Sequence, residues 1–312
     1  MNGELKIMGK VLIFGHQNPD TDSITSSLVM ANLEKKLGHD AEACRQGAIN
    51  KETEYVLNYL GIEAPTLIQD VEDGAEVILV DHANTKESVP NLENAKILKI
   101  VDHHMVALNT SYPLYYRAEP VGCTETIMYK LYKEYGVEID KTIATLMVSA
   151  IISDTLLFKS PTCTQEDVEV AKKLAEIAGL DLETYGMDML KAGTDLSSFT
   201  IEEILSLDAK KMDLKDKKAI IAQVNTASID DVLTMKADLE AAMEKSIADN
   251  GLDIFMFIIT DIVKSTSKAI VLGKAADIAE RAYNEKIENN LIELKGVVSR
   301  KKQVVPVMTE NA

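Results

Sequence analysis

The first third of the chain alternates short apolar runs with amphipathic segments. The apolar runs are rich in β-favouring residues and occupy residues 10–14, 77–80 and 97–101. Continuous apolar runs of this length are typical of strands buried on both faces, as in parallel sheets. Residues 26–37, between the first two runs, place their apolar side chains on one face and precede Gly38, which predicts a helix that ends there.

Two further helical segments, at residues 124–135 and 141–152, continue this alternation. Strand, helix, strand repeats of this kind form an open parallel sheet with helices on both faces. We therefore predict an α/β fold in which the N-terminal part is a doubly wound parallel sheet.

The apolar periodicity lapses over residues 187–198, a segment that includes Gly193. This lapse predicts a linker between an N-terminal domain at residues 1–187 and a C-terminal domain at residues 195–312. The length of 312 residues agrees with two domains, because a domain has roughly 150 residues.

The C-terminal part repeats the alternation on a smaller scale. Strand-like runs are interleaved with helical segments, the runs at residues 219–224, 254–260 and 269–272 and the helices at residues 228–248 and 275–289. This pattern predicts a second, smaller α/β domain.

The end of the chain carries a basic cluster, Arg300, Lys301 and Lys302. The surrounding residues 296–307 are predicted to form two short strands, with Pro306 at an edge position. The cluster is unusual because acidic residues outnumber basic ones by 50 to 33, for a net charge of −17. A surface this acidic repels nucleic acid, and we therefore expect no nucleic-acid partner. An anionic substrate would require metal ions or a local basic cluster in order to bind.

The cysteines and the start of the chain indicate the compartment. Cys44, Cys123 and Cys163 lie far apart without CxxC spacing, which is typical of buried, reduced thiols. No apolar run reaches 18 residues, and the first residues lack the apolar core of a signal peptide. We expect a cytoplasmic protein without a membrane partner.

Polar side chains follow each of the three N-terminal strands. They are His16, Asp20 and Asp22 after the first, Asp81 and His82 after the second, and Asp102, His103 and His104 after the third. Because the carboxyl ends of parallel strands border one crevice, these side chains are expected to converge. Asp154, at the end of the helix predicted from residue 141, is a further candidate for the same crevice.

Crowded carboxylates predict a bound cation. Two of them repel by about 4 kcal/mol at 4 Å and an effective dielectric of 20, a cost that a cation removes. The mixture of histidine and aspartate without cysteine favours Mn²⁺, Co²⁺ or Zn²⁺ over Mg²⁺ or Ca²⁺. With about six candidate ligands, a two-metal site is expected.

Each residue taken alone has a simpler interpretation. An aspartate after a strand is commonly a turn or N-cap residue, which is the favoured interpretation of Asp20 or Asp22 in isolation. His39, beside a turn glycine, is given no role. His82 and Asp102 are placed outside the ligand set, with Asp102 as a candidate for orienting a neighbouring histidine. The joint pattern at four strand or helix ends is what favours metal.

Several motifs together resemble a known family. They are GHQNPDTDS at residues 15–23, VD at 80–81, VDHH at 101–104, SDTLLFKSPT at 153–162, DAK at 208–210 and SRKKQ at 299–303. The chain resembles the DHH phosphoesterase superfamily and, within it, the family II, manganese-dependent inorganic pyrophosphatases. The resemblance spans nearly the whole chain.

The resemblance implies two metal ions per subunit, Mn²⁺ or Co²⁺. One is held by His16, Asp20 and Asp81, and the other by Asp22, Asp81, His103 and Asp154, so that Asp81 bridges them. It also implies that pyrophosphate binds through His104, Lys210, Arg300 and Lys301, which form the catalytic and substrate-binding set, with Lys302 outside it.

The implied reaction is hydrolysis of pyrophosphate to two orthophosphates by a metal-bridged hydroxide, with additional Mg²⁺ accompanying the substrate. The metal ligands precede the linker and three of the four phosphate-binding residues follow it. The active site is therefore expected in the cleft between the domains, with closure through the linker at Gly193.

The same resemblance predicts a homodimer joined through the N-terminal domains, by an edge strand near the third strand. The chain is too short for the regulatory nucleotide-binding insert of some relatives. It departs from the family at residues 83–85, where it reads Ala-Asn-Thr after Val-Asp-His.

Two alternative functions remain open at this point. One is a DHH phosphoesterase for linear polyphosphate or short oligonucleotides. The second domain lacks the GGGH-like motif typical of oligonucleotide-acting relatives, which disfavours that substrate. His104, the second histidine of the DHH motif, is present, whereas polyphosphate-acting relatives tend to lose it. The other is a non-catalytic metal-binding or nucleotide-sensing protein, which the intact candidate residues disfavour.

Overall fold

The computed structural model describes residues 10–196 and 199–312. It separates into two compact units, one ending at Met189 and the other running from Leu190 to Ala312. The first nine residues of the expected N-terminal domain, and Ser197 and Ser198 of the expected linker, lie outside the described residues. No described helix combines the length and the apolar character that a membrane span requires.

The first unit is an α/β structure. Its elements, in chain order, are β1 Val11–Phe14, α1 Thr21–Lys36, β2 Ala41–Arg45, α2 Lys51–Leu60, β3 Thr66–Leu67, β4 Glu76–Val80, β5 Ala83–Asn84, β6 Lys96–Asp102, β7 Val106–Ala107, β8 Tyr115–Ala118, α3 Thr124–Tyr135, α4 Lys141–Thr155, α5 Gln165–Ala178 and α6 Leu182–Gly193, with 3-10 turns at Thr85–Glu87 and Leu92–Asn94.

Six strands form one parallel sheet in the order β3-β2-β1-β4-β6-β8. The three strands that the apolar runs predict, β1, β4 and β6, are neighbours at its centre, so the α/β prediction is confirmed. Strands β2, β3 and β8 are not predicted by the apolar pattern of the sequence. These strands carry polar or exposed residues and so lack the apolar signal of a buried strand.

The two faces of this sheet are covered differently. Helices α1, α3 and α4 contact one another, and α1 lies against β1, β2 and β4. The other face packs Phe14, Val77 and Leu79 against Val89 and Leu92, which belong to the connection between β4 and β6.

Helix α1 begins earlier than its apolar pattern predicts. It starts at Thr21 rather than at residue 26, and Asp20 is its N-cap, accepting a hydrogen bond from the Ser23 amide. The first turn buries Thr21, Asp22 and Ser23. A pattern of apolar residues does not detect such a turn, because its buried side chains are polar.

The first part of the predicted linker is helical instead. Helix α6 continues to Gly193, and Tyr185, Met189 and Leu190 are buried at helical spacing within it. Gly193 is therefore the last residue of a helix rather than part of an irregular segment, and residues 194–196 follow without regular structure.

The second unit contains a mixed sheet. Its elements are α7 Ile201–Ser206, β9 Ala209–Leu214, β10 Lys217–Thr226, α8 Ile229–Leu233, α9 Lys236–Asn250, β11 Ile254–Asp261, β12 Thr266–Leu272, α10 Asp277–Tyr283, β13 Leu291–Leu294 and α11 Val305–Asn311. The order is β13-β12-β11-β10-β9, with β10 and β11 parallel and the other pairs antiparallel. The three strand-like runs predicted here are β10, β11 and β12.

The prediction of two strands at the chain end is wrong. Residues Arg300–Val304 form a π-helical turn that continues into α11. Pro306 lies in the first turn of α11, a position that proline favours because the amide it lacks has no helical partner there.

Candidate metal centre

Six side chains converge at the carboxyl ends of β1, β4 and β6. Two follow strands directly, Asp81 after β4 and His103 after β6, and His16 lies two residues beyond β1. Asp20 and Asp22 lie at the start of α1, and Asp154 lies in the last turn of α4. The structure thus brings together the six predicted metal ligands, which are separated by up to 138 residues in the sequence, from His16 to Asp154.

Asp81 lies between two groups of these residues. Its Oδ2 is 3.4 Å from His16 Nε2, which is also 3.6 Å from Asp20 Oδ2. Its Oδ1 is 3.5 Å from His103 Nε2. One carboxylate oxygen therefore faces His16, and the other faces His103 and also lies 3.4 Å from His104 Nδ1.

His103 connects the second group. Its Nε2 lies 3.7 Å from Asp154 Oδ2 and 4.0 Å from Asp22 Oδ2. Donor atoms of His16, Asp20 and Asp81 lie within 4.8 Å of one another, and so do those of Asp22, His103 and Asp154. Spacing of this kind, among imidazole and carboxylate donors, is what a metal ion of the Mn²⁺ type requires.

The backbone aims these side chains. Asp81 has a left-handed conformation, with φ of 57°, which aspartate tolerates better than most residues. Its amide donates to the Val101 carbonyl, which ties it to β6. Gly15 lets α1 approach β1 closely, since a Cβ there would lie 1.9 Å from Ser23 Oγ.

Hydrogen bonds fix both histidine rings. His16 donates through Nδ1 to the Gln17 carbonyl at 2.8 Å, and His103 donates through Nδ1 to the Val121 carbonyl at 3.0 Å. Each ring therefore directs Nε2 at the carboxylates, an arrangement typical of metal-binding histidines.

Burial and mutual contact shift the pKa values of the histidines. Burial lowers the pKa of His16, but contact with the carboxylates of Asp20 and Asp81 outweighs that effect and raises it to about 12. Burial also lowers the pKa of His103, while contact with Asp81 raises it to about 9. Both rings therefore carry protons at neutral pH in the metal-free protein.

The carboxylates divide into two kinds. Burial raises the pKa of Asp22 to about 7, and burial together with the Asp22 charge raises the pKa of Asp154 well above its usual range. Burial also acts to raise the pKa of Asp81, but His103 and His16 hold it well below its ordinary value. Asp81 therefore favours the ionised form more strongly than Asp22 and Asp154 do.

Two buried atoms at the centre lack a hydrogen-bond partner among the described residues. They are Asp81 Oδ2 and His103 Nε2. Buried polar atoms are normally paired, and a cation in each of the two groups of donors would satisfy them. The donor set therefore fits a metal ion.

Asp102 and His82 have separate partners. Asp102 Oδ1 accepts hydrogen bonds from the amide of His104 and from its Nδ1, at 2.9 and 3.1 Å. His82 contacts the Val80 carbonyl and the Ser88 hydroxyl. Asp102 thus orients His104, whereas His82 contacts none of the six predicted ligands through these bonds.

The basic residues of the second unit differ in their surroundings. Arg300 is buried and donates Nη2 and Nε to the two oxygens of Asp208, at 2.6 and 3.2 Å. Gln223 Oε1 accepts the Arg300 amide at 2.8 Å. Lys210, on β9, and Lys301 are exposed. The DAK motif contains Asp208, but nothing in the sequence predicts its contact with Arg300, because 92 residues separate the partners.

Other contacts at the metal centre were also missed. Ser26 donates its hydroxyl to Asp22 Oδ1 at 2.8 Å, and the amide of Thr124 donates to Asp22 Oδ2 at 2.8 Å. The start of the helix predicted at residue 124 is the one available signal for Thr124, since free amides at a helix N-terminus favour a carboxylate.

Comparisons with known proteins agree with this architecture. The DHH family, N-terminal domain, matches residues 10–151, and the DHHA2 domain matches residues 187–311. A relative from an Exiguobacterium species, named "Probable manganese-dependent inorganic pyrophosphatase", is 57% identical over 307 residues, covering 98% of this chain and 99% of the relative.

Two further relatives extend the comparison. The "Manganese-dependent inorganic pyrophosphatase" of Bacillus subtilis is 55% identical, covering 97% of this chain and 99% of the relative. A crystal structure from Methanococcus jannaschii, described as a "putative family II inorganic pyrophosphatase", is 43% identical with a TM-score of 0.76, covering 96% of this chain and 99% of that one. Because identity this high extends over nearly the full length of both chains, this chain belongs to the family of manganese-dependent inorganic pyrophosphatases.

Proposed function

We propose that the chain hydrolyses inorganic pyrophosphate to two orthophosphates, as a manganese-dependent enzyme. The observation that carries this proposal is the position of Asp81, whose two oxygens face two separate groups of imidazole and carboxylate donors. The names of its relatives support the same substrate and the same metal.

The proposed ligand sets are those that the resemblance implies. His16, Asp20 and Asp81 hold one Mn²⁺ or Co²⁺ ion, and Asp22, Asp81, His103 and Asp154 hold the other. Ions held by these residues would supply the activation of a water molecule as the nucleophile near neutral pH. The protein's part is to fix the donors, through backbone carbonyls on both histidines and hydrogen bonds on Asp22.

The proposed phosphate-binding residues are His104, Lys210, Arg300 and Lys301, with Mg²⁺ accompanying the substrate. Burial lowers the pKa of His104, but its bond to Asp102 and the charge of Asp81 raise the pKa above the ordinary value, which favours a proton on the ring. In the described part of the chain, Arg300 Nη1 has no hydrogen-bond partner. It can therefore donate to phosphate while the other two guanidinium nitrogens remain on Asp208.

These cations have an electrostatic role. Charge on the transferring phosphoryl group spreads over its oxygens, and fixed cations stabilise it. They also offset the repulsion that a chain of net charge −17 exerts on an anion. The same net charge supports the proposal that nucleic acid is not a partner.

We further propose that the protein is cytoplasmic, in keeping with its free cysteines Cys44, Cys123 and Cys163.

We also propose a homodimer formed through the first unit. Strand β8 lies at the edge of the six-stranded sheet and exposes Tyr115 and Tyr116. The segment after β6 exposes Met105 and Val106. An edge strand beside exposed apolar residues is an unusual surface for a monomer, because it favours pairing with another chain.

The proposed function is tested by phosphate release from pyrophosphate, tripolyphosphate and a dinucleotide, each with Mn²⁺ and with Mg²⁺ alone. We expect rapid release from pyrophosphate with Mn²⁺ and little from the other two substrates. Preference for tripolyphosphate or for the dinucleotide would instead favour another DHH phosphoesterase activity, and no release from any substrate would favour a binding protein.

Asp81→Ala should cost more activity than Asp20→Ala or Asp154→Ala, because Asp81 serves both ions and the other two residues serve one each. Equilibrium dialysis should show weakened binding of both Mn²⁺ ions in Asp81→Ala. The surface variant Asp73→Ala, whose carboxylate contacts Asn94, serves as the control. Near wild-type hydrolysis by Asp81→Ala at saturating Mn²⁺ would show that Asp81 does not bridge.

Arg300→Ala and Lys301→Ala should each lower kcat/KM by about 10²- to 10³-fold, the usual effect of removing one preorganised charge donor. Their Mn²⁺ affinity should stay near that of the wild type, since they contact phosphate and not metal. Lys302→Ala is the matched control and should retain activity. Equal effects of Lys301→Ala and Lys302→Ala would contradict the assignment.

Sedimentation velocity with Mn²⁺ present should show a dimer for the wild type. Tyr116→Lys should dissociate it, because a charged residue on an edge strand opposes pairing. Tyr59→Lys, an exposed tyrosine on α2, should leave the dimer intact. A monomeric wild type would refute the dimer, and a Tyr116→Lys dimer would place the interface elsewhere.

A further inference from the structure

Thr124 contacts two of the proposed metal ligands at once. It is fully buried at the first position of α3. Its amide donates to Asp22 Oδ2 at 2.8 Å, and its hydroxyl donates to Asp81 Oδ1 at 3.1 Å. One residue therefore links two of the three carboxylates assigned to the second metal ion.

Buried contacts hold Thr124 itself in place. Asp167, whose side chain is buried, accepts hydrogen bonds from the Gly122 amide at 2.8 Å and from the Thr126 hydroxyl at 2.6 Å. Thr124 lies between these two anchored residues. A Cβ at Gly122 would lie 2.7 Å from Asp167 Oδ2, so this close approach depends on glycine.

The same segment also orients His103, through the Val121 carbonyl. Residues 121–126 thus contact three of the four proposed ligands of the second ion. Residues 121–126 make two of these contacts with backbone atoms, the Val121 carbonyl and the Thr124 amide. The third is made by the Thr124 hydroxyl to Asp81, and a side-chain substitution can remove it without altering the backbone.

The hydroxyl acts on the residue whose orientation matters most. Asp81 must present one oxygen to each histidine, and rotation of its carboxylate would remove it from both groups. A fixed neutral donor on Oδ1 opposes that rotation without adding charge.

We propose that Thr124 is a positioning residue, which holds the carboxylates of Asp81 and Asp22 in the orientation that metal binding requires. This inference rests on the proposed function, because it assigns the cluster to metal. It differs from a purely structural role in predicting that the hydroxyl oxygen, and not the bulk of the side chain, determines metal affinity.

The test compares Thr124→Ser, Thr124→Ala and Thr124→Val by isothermal titration of the chelator-treated full chain with Mn²⁺. Serine and alanine both lack the threonine methyl group and differ only by the hydroxyl. We expect Thr124→Ser to bind Mn²⁺ nearly as well as the wild type. Thr124→Ala and Thr124→Val should bind about 10- to 100-fold more weakly, the usual cost of removing a hydrogen-bond partner of a metal ligand.

Thr145→Val is the matched control. Thr145 is also buried in the first unit, but its hydroxyl donates to the Lys141 carbonyl within α4. This variant loses a buried hydroxyl and should keep wild-type Mn²⁺ affinity. Circular dichroism of each chelated variant checks folding, and if Thr124→Val does not fold, the serine and alanine pair decides.

Equal Mn²⁺ affinity of Thr124→Ser and Thr124→Ala would overturn the inference, whether both match the wild type or both are weakened. Failure of the proposed function has a different signature, namely a wild-type chain that does not bind Mn²⁺ or does not release phosphate from pyrophosphate. A wild type that does both, together with unaltered Thr124→Ala, contradicts the role of Thr124 alone.

Discussion

The interaction on which the site depends is the contact of one buried carboxylate, Asp81, with histidines at both of its oxygens. Like charges 4 Å apart at an effective dielectric of 20 repel by about 4 kcal/mol, and Asp22 and Asp154 lie in the same cluster. Protonation relieves the repulsion in the metal-free protein, since the pKa values of Asp22 and Asp154 are raised and those of His16 and His103 are raised as well. A divalent cation would relieve the same repulsion by replacing these protons, and metal binding would then be coupled to proton release.

This electrostatic arrangement restricts the fold around it. Strands β1, β4 and β6 must be adjacent and parallel so that their carboxyl ends deliver His16, Asp81 and His103 to one point. The first turn of α1 must approach β1 closely, which glycine at position 15 allows. One turn further along α1, Ser26 donates its hydroxyl to Asp22 Oδ1, so this buried carboxylate oxygen keeps a hydrogen-bond donor.

In the proposed function, the second unit contributes positive charge. Two oxygens of Asp208 and the amide oxygen of Gln223 fix Arg300, and Gln223 is in turn bonded to Thr260 and the Val298 carbonyl. A guanidinium held in this way loses little conformational freedom when it binds an anion. Lys210 and Lys301, the other proposed phosphate-binding cations of this unit, are exposed.

The sequence by itself determined the central strands, several helices and the six candidate ligands, because each leaves a local signal: an apolar run, a helical period or a polar residue at a strand end. It failed where the local signal was absent or ambiguous. Strands β2 and β8 carry polar or exposed residues, and Pro306 suits the first turn of a helix as well as a strand edge. Only the tertiary structure decided that Thr124 contacts Asp22 and Asp81, across 102 and 43 residues, and that Asp208 holds Arg300. Such contacts depend on where the folded backbone places two distant segments, and no period or motif within either segment encodes that distance.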